Sequence, residues 1–368
     1  MGLNKDGYYS LDDINKTGCQ WRWIFGPRAP GKSAAVKTAA MKRAWSEKQP
    51  TMGLIRRRKV EVETSEIEHY FEDKGINFVE IVTGGECDHV EYFKKYMWFA
   101  KTNDDGTTER VSKLGEVFCL STAKNKKSTG HRYLKDIIYE EVMTDEMYLP
   151  DEPSKLMQLI STLLRLDDDD VTITLIGNAI TRVCPYFREW GLDKIPTQPV
   201  GTIDVYHMKK EDGSTLDLAV EYCPPTPHKN KLIFGRSEKS IQGSHWETHE
   251  YNTAPIDKIE QEFEKVFELL YISVSGFKFL LTLIVNKENG APFVYVKPYD
   301  ITLDNPDIVR IISGAFSTDI LTTPTLDRNS PPEIIIHNCF VDNKVYYVDN
   351  LTGEDFVMSC KSELKYPF

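Results

Sequence analysis

Eight consecutive residues, Gly26-Pro27-Arg28-Ala29-Pro30-Gly31-Lys32-Ser33, constrain this chain more than any other stretch. They fit G-x-x-x-x-G-K-[ST], the Walker A pattern, in full. The apolar run Trp21–Phe25 precedes them, and Lys32–Lys48, rich in Ala, Lys and Met, follows with a helix former's composition. A strand feeding a glycine loop that opens into a helix is a cradle for phosphate. Gly26 and Gly31 let the backbone wrap an anion, while the helix start aims N–H groups and a positive dipole end at it. Gly26, Pro27, Arg28, Ala29, Pro30, Gly31, Lys32, Ser33 and Ala34 are therefore the expected nucleotide-binding set. Lys32 would reach the β- and γ-phosphates of ATP, and the Ser33 hydroxyl would ligate Mg²⁺. Pro30 has no N–H to offer, which costs about 1–3 kcal/mol of phosphate affinity.

Such a loop works with an acid on a nearby strand. Asp136-Ile137-Ile138-Tyr139-Glu140-Glu141 is an apolar run that ends in paired acids. Neighbours on a strand point to opposite sides, so the two carboxylates divide the work. Glu140 is expected to help hold hydrated Mg²⁺, and Glu141 to polarise the attacking water as general base. The run Val171–Ile176 ends in Gly177-Asn178, where Asn178 is either a cap or a polar group beside the γ-phosphate. Arg165 closes the Leu-rich helix pattern Pro153–Leu166. It is either a surface residue favoured by the helix dipole or an arginine finger entering a neighbouring subunit's site.

The rest of the chain supports two domains. From Gln20 to about Tyr206, apolar runs (Trp21–Phe25, Met52–Ile55, Phe78–Val82, Ile137–Tyr139, Val171–Ile176) alternate with helix patterns. That alternation reads as an α/β domain with a parallel-rich sheet. Tyr92–Ala100 and Val111–Leu120 flank Asn103-Asp104-Asp105-Gly106 as a hairpin. Cys223-Pro224-Pro225-Thr226-Pro227-His228 breaks the pattern, and Lys229–Pro255 is polar, as a linker is. A smaller α+β block follows, with a helix expected over Ile256–Tyr271 and strands over Lys278–Val285, Phe293–Val296, Ile334–His337 and Lys344–Val348. The boundaries expected are 1–225, 226–257 and 258–368.

With 45 basic against 56 acidic residues, net −11, a simple basic-coat nucleic-acid binder is excluded, though not one that gathers its cations in a channel. No apolar run is long enough for a membrane helix, and Met1–Asn15, with Asp12 and Asp13, is not read as a secretory signal. Seven widely spaced cysteines without Cys-x-x-Cys read as reduced thiols in a cytosolic protein. His245-Trp246-Glu247-Thr248-His249 has its glutamate misplaced for a zinc-protease helix, and Asp167–Asp170 reads as a solvated turn. Two short basic loops, Arg56-Arg57-Arg58-Lys59 and Lys124-Asn125-Lys126-Lys127, are either solvated or phosphate-gripping. On the second reading Arg56, Arg58, Lys59, Lys124 and Lys126 contact a DNA backbone without reading bases.

In its phosphate loop, Ile55-Arg56-Arg57-Arg58-Lys59, Ile137-Ile138-Tyr139-Glu140-Glu141 and Tyr148-Leu149-Pro150, the chain resembles the genome-packaging ATPases of phi29-type bacteriophages, relatives of the large terminases. The Leu-rich helix to Arg165, Asn178-Ala179 and Pro185-Tyr186-Phe187 extend the likeness, which covers the first ~225 residues well and the remainder loosely. The resemblance implies a terminase-like ATPase fold with an additional strand between the phosphate-loop strand and the acidic strand. It implies a homopentameric ring on the portal of a procapsid in the host cytoplasm, driving double-stranded viral DNA inward, with a packaging RNA as a further candidate partner. Lys32, Ser33, Glu140 and Glu141 match the family's nucleotide loop, metal-supporting acid and catalytic glutamate. Arg165 matches its trans arginine, Lys127 its second trans-acting basic residue, and Arg56 and Lys59 its basic turn near the pore. Glu140 stands where Asp is usual. The last domain would be a degenerate nuclease-like (RNase H-type) fold, its expected first strand, Lys278–Val285, containing no acid. The alternatives are a nucleotide-dependent switch or assembly ATPase without translocation, and a terminase that cuts DNA.

Overall fold

A computed structural model describes residues 7–28, 30–72, 75–125, 131, 133–144, 146–164, 170–210, 212–226, 249–273, 276–299, 309–312 and 331–363. The chain forms two compact units. Among the described residues, the first comprises 7–144, 149–179 and 189–226, and the second 146–148, 180–188 and 249–363.

The first unit runs α1 (Asp12–Lys16), β1 (Trp21–Gly26), α2 (Lys32–Glu47), β2 (Met52–Arg56), α3 (Thr64–Tyr70) and α4 (Phe78–Thr83). It continues through β3 (His89–Phe93), β4 (Tyr96–Thr102), β5 (Thr108–Cys119), β6 (Asp136–Tyr139), α5 (Glu152–Leu163), β7 (Thr172–Asn178), β8 (Ile203–Lys209) and β9 (Thr215–Tyr222). Nine strands pair in the order β3-β4-β5-β2-β6-β7-β1-β9-β8. The six from β5 to β9 in that order are mutually parallel, and the outer pairings are antiparallel. Central strands of a parallel sheet are covered on both faces, which explains continuous apolar runs such as Trp23-Ile24-Phe25 and Ile137-Ile138-Tyr139, all buried. Strand β7 lies between β6 and β1, so the expected additional strand stands between the acidic strand and the phosphate-loop strand.

The hairpin around Asn103–Gly106 forms, with Gly106 N–H donating to Asn103 O at 2.9 Å. The run Phe78–Val82 does not form a strand. It lies in helix α4, whose start is capped by Asn77 Oδ1 accepting from the Val79 and Glu80 amides, and which ends on Gly84 at φ 67°. The Asn cap and glycine stop outweigh the β-branched composition of that segment.

The second unit contains a five-stranded sheet in the order β13-β10-β11-β12-β14. Its strands are β10 (Phe263–Ile272), β11 (Lys278–Asn286), β12 (Pro292–Pro298), β13 (Val309–Ile312) and β14 (Val345–Tyr347). β10, β11 and β12 form an antiparallel meander, while β13 lies parallel to β10 and β14 parallel to β12. Leu269, Tyr271, Leu281, Val294 and Val296 share one core with Ile336, Phe356 and Cys360 of the helices Pro331–Val341 and Asn350–Glu363.

Two expectations here are corrected. The helix expected over Ile256–Tyr271 ends at Glu262, and Phe263 onward is strand β10. Leu269, Leu270 and Tyr271 are buried in succession, which a sheet covered on both sides permits and a one-sided helix does not. The strand expected over Ile334–His337 is helix, since Pro331-Pro332 start it and proline suits a helix's first turn. Among the described residues the first strand of this unit is thus β10, which carries Glu264 and Glu268. The acid-free segment Lys278–Val285 belongs to the second strand, so its composition does not bear on nuclease chemistry. Among the described residues no three His, Cys, Asp or Glu side chains gather closely enough to hold a metal. No helix among them is long and apolar enough to cross a membrane.

Candidate nucleotide site

Where β1 ends, the backbone must turn inside a crowded space. Gly26 adopts φ 145°, and a Cβ there would lie 2.8 Å from the Cys223 carbonyl oxygen, so a side chain cannot be accommodated. Gly31 has φ 88° and immediately precedes α2, leaving the helix N-terminus open without a side-chain cap. The loop is closed from behind by the chain's beginning. Tyr9 N–H donates to Pro30 O at 2.7 Å, and the buried Tyr9 hydroxyl donates to Glu221 Oε2 at 2.7 Å on β9. Burial pushes the Glu221 carboxyl up, an effect that the Tyr9 hydrogen bond opposes.

Lys32 is folded onto its own loop. Its ammonium donates to Gly26 O at 3.3 Å, to Pro27 O, and to Asn178 Oδ1 at 3.3 Å. It is 5 % exposed, and desolvation pushes its pKa down to about 8. A γ-phosphate would give this buried cation a counter-charge beyond the through-space effect of Glu140. Asn178 reaches it because β7 runs beside β1 in a register that sets Asn178 opposite Gly26.

Both acids lie just past the end of β6, in a turn rather than on the strand, and they still separate. Glu140 points inward and is buried. Its Oε2 accepts from Ser33 Oγ at 3.2 Å and its Oε1 from the Tyr70 hydroxyl at 2.8 Å. Burial pushes its carboxyl up, opposed by Tyr70, Arg56 and Ser33. Glu141 adopts the left-handed φ of 56°, strain of the kind that gathers at functional positions. Its side chain is 60 % exposed, and Oε2 lies 3.6 Å from Arg56 Nη2.

These groups line one cleft of about 1280 Å³, above the ~300–1,000 Å³ of ordinary small-molecule sites. Arg28, Pro30, Gly31, Ala34 and Asn178 line it together with Lys32, Ser33, Glu140 and Glu141, and Tyr8 to Leu11 form a further wall. Ala29 lies outside the described residues. Ser33 Oγ and Glu140 Oε2 stand 3.2 Å apart, a pair of hard oxygen atoms that fits Mg²⁺ beside a bound nucleotide.

The basic residues behave differently from one another. Arg56, expected on a DNA-contacting loop, lies in this cleft between Glu141 and Glu61, whose Oε2 is 3.4 Å from its Nε. Arg57 is buried. Its Nε donates to Glu152 Oε1 and Oε2 at 3.1 and 3.0 Å, and Nη2 donates to the carbonyls of Glu141 and Val142 at 2.9 and 3.0 Å. Glu152 also accepts from the Tyr139 hydroxyl at 2.7 Å and the Leu149 amide at 2.8 Å. Arg58 is half-buried in the turn that Glu61 caps, and Lys59 is exposed. The Lys124 side chain, Lys126, Lys127 and Arg165 lie outside the described residues.

Tyr70, Arg57 and Tyr9 carry parts of this site that sequence reasoning missed. No local pattern marks them, because each acts on a partner at least 70 residues away.

No family model matches the chain, and no curated protein matches it. Among solved structures, the phi29 viral genome packaging motor assembly superposes with a TM-score of 0.52 at 17% identity, covering 94% of this chain and 96% of that one. The Phi-28 gp11 DNA packaging motor matches at 0.49 and 16% identity over 98% and 100% of the two chains. The large terminase of the thermophilic bacteriophage D6E with ADP matches at 0.36 and 11% identity over 93% and 86%. A mostly parallel sheet with an inserted strand, and a loop flanked by Gly26 and Gly31 at the end of β1, thus sit in a chain whose fold is that of the phi29-type packaging motor ATPase.

Proposed function

We propose that this chain is an ATP-hydrolysing motor that drives double-stranded viral DNA through the portal of a procapsid. The observation that carries it is the convergence of Lys32, Ser33, Asn178 and Glu140, from three separate segments, on one cleft with Glu141 at its rim.

In this reading the loop amides and the α2 terminus bind the β-phosphate, and Lys32 leaves its own carbonyls for the γ-phosphate. Ser33 and Glu140 hold Mg²⁺, which neutralises charge on the phosphate oxygens. Glu141 orients and deprotonates the attacking water once it swings from Arg56. Asn178, touching Lys32, senses whether the γ-phosphate is present. Arg165 and Lys127 enter from a neighbouring subunit of a homopentameric ring, where a finger raises the rate by roughly 10³–10⁵.

Lys59 and Arg58, with Lys124 and Lys126, grip the DNA backbone. Arg56, placed inside the cleft, couples that loop to Glu141. The second unit is a degenerate nuclease-like (RNase H-type) domain, a reading supported by its meander with β13 parallel to β10. The portal, and a packaging RNA where one is used, are the remaining partners, met in the host cytoplasm.

The test is ATPase rate with and without double-stranded DNA at two salt concentrations. Stimulation that fades with salt supports backbone tracking. A rate indifferent to DNA refutes the motor and favours a nucleotide switch.

A further inference from the structure

We propose that Tyr70 is the positioning residue for Glu140, fixing which carboxylate oxygen faces the metal of a bound Mg²⁺–nucleotide. The inference rests on the nucleotide reading above.

Glu140 has one more rotatable bond than the aspartate its role usually takes, so its carboxylate needs something to stop it. Two hydroxyls do so from opposite sides. Tyr70 donates to Oε1 at 2.8 Å and Ser33 to Oε2 at 3.2 Å. Ser33 must turn to the metal when a nucleotide binds, which releases Oε2. Tyr70 stands outside the phosphate loop and keeps its bond to Oε1. The carboxylate is left with a single oxygen, the one beside Ser33, to meet the metal or its water.

Tyr70 is itself braced. It is the last residue of α3, and its carbonyl accepts from Lys37 Nζ at 2.8 Å. Lys37 is buried on α2, one turn beyond Ser33, and its ammonium lies 5.2 Å from the centre of the Tyr70 ring. The helix that presents Ser33 thus also fixes the residue on the other side of Glu140. Tyr70→Phe removes the hydroxyl alone and leaves the ring and the carbonyl bond in place.

The test is Mn²⁺ binding to the full chain with ADP, followed by electron paramagnetic resonance, beside ADP binding in EDTA. Tyr70→Phe should weaken Mn²⁺ about tenfold, as loss of one hydrogen bond to a charged group does. Metal-free ADP binding should stay within about twofold of wild type. Glu140→Asp draws the carboxylate out of the hydroxyl's reach, so adding Tyr70→Phe to it should change little. An unchanged Mn²⁺ affinity in Tyr70→Phe overturns the role of Tyr70 alone, as do fully additive losses in the double variant or an equal loss of metal-free ADP. A wild-type chain that binds no Mn²⁺ with ADP overturns the nucleotide reading and this inference with it.

Discussion

Replacing Arg57 by methionine should be the most damaging change in the basic stretch Arg56–Lys59, for reasons that have nothing to do with DNA. The Arg57 and Glu152 side chains are 5% and 0% exposed. Methionine matches much of the arginine stem's volume but takes the guanidinium partner away from the buried Glu152 carboxylate. The Glu141 and Val142 carbonyls lose a donor at the same time. Breaking one partner of a buried pair costs about 3–5 kcal/mol, because the remaining charge is uncompensated. For a unit of this size each kcal/mol moves the midpoint by roughly 2–4 °C, so Arg57→Met should unfold about 6–20 °C below wild type. The double variant Arg57→Met/Glu152→Gln should recover most of the loss. Glutamine keeps an acceptor oxygen for the Leu149 amide, and its NH2 can donate to the Tyr139 hydroxyl oxygen, without stranding a charge. Thermal and urea unfolding monitored by circular dichroism measure both. An Arg57→Met chain within about 1 kcal/mol of wild type, the range of an exposed ion pair, would refute the buried-anchor reasoning.

Other expectations concern the chemistry. Glu141→Gln should bind ATP as wild type does while losing roughly 10²–10⁴ of the hydrolysis rate, whereas Lys32→Ala should lose binding itself; equilibrium binding and single-turnover rates separate the two. Arg165→Ala and Glu141→Gln chains should each be inactive alone and should partly recover activity when mixed in one ring; a mixture that assembles without recovery counts against a finger supplied in trans. Supercoiled plasmid incubated with the protein and Mg²⁺ or Mn²⁺ should remain intact, and nicking that persists through repurification would show that the second unit cuts DNA.

The nucleotide loop, the paired acids and Asn178 were legible because each belongs to a short pattern with its context alongside: strand, glycines, helix. The strand Val171–Ile176 was legible from its apolar run, while the additional strand beside the phosphate-loop strand came only from the family resemblance. Arg57 shows where such reading stops. In the string Arg56-Arg57-Arg58-Lys59 the four cations look alike, yet one faces Glu141, one is buried on Glu152, one is half-buried in a capped turn and one is exposed. What separates them is the direction each side chain takes as β2 ends, together with an acid 95 residues further on. The segment Ile256–Tyr271 failed for another reason. Ile259, Phe263, Val266, Phe267 and Leu270 do recur at helical intervals, but from Phe263 onward the segment pairs with β11, with one irregularity at Val266, and tertiary pairing overrides period.

The bond that ties Tyr9 to Glu221 behind the loop has a consequence for how the chain is made. The two residues are 212 positions apart, and β9, which carries Glu221, is a direct neighbour of β1. A ribosome adding about 5–20 residues per second releases Tyr9 some 10–40 s before its partner. Throughout that interval β1 lacks β9 on one side, and a bare strand edge invites pairing with other chains. Nascent chains halted before β9 should therefore stick to one another or to chaperones, and the phosphate loop, though synthesised early, should be among the last parts of the unit to become rigid.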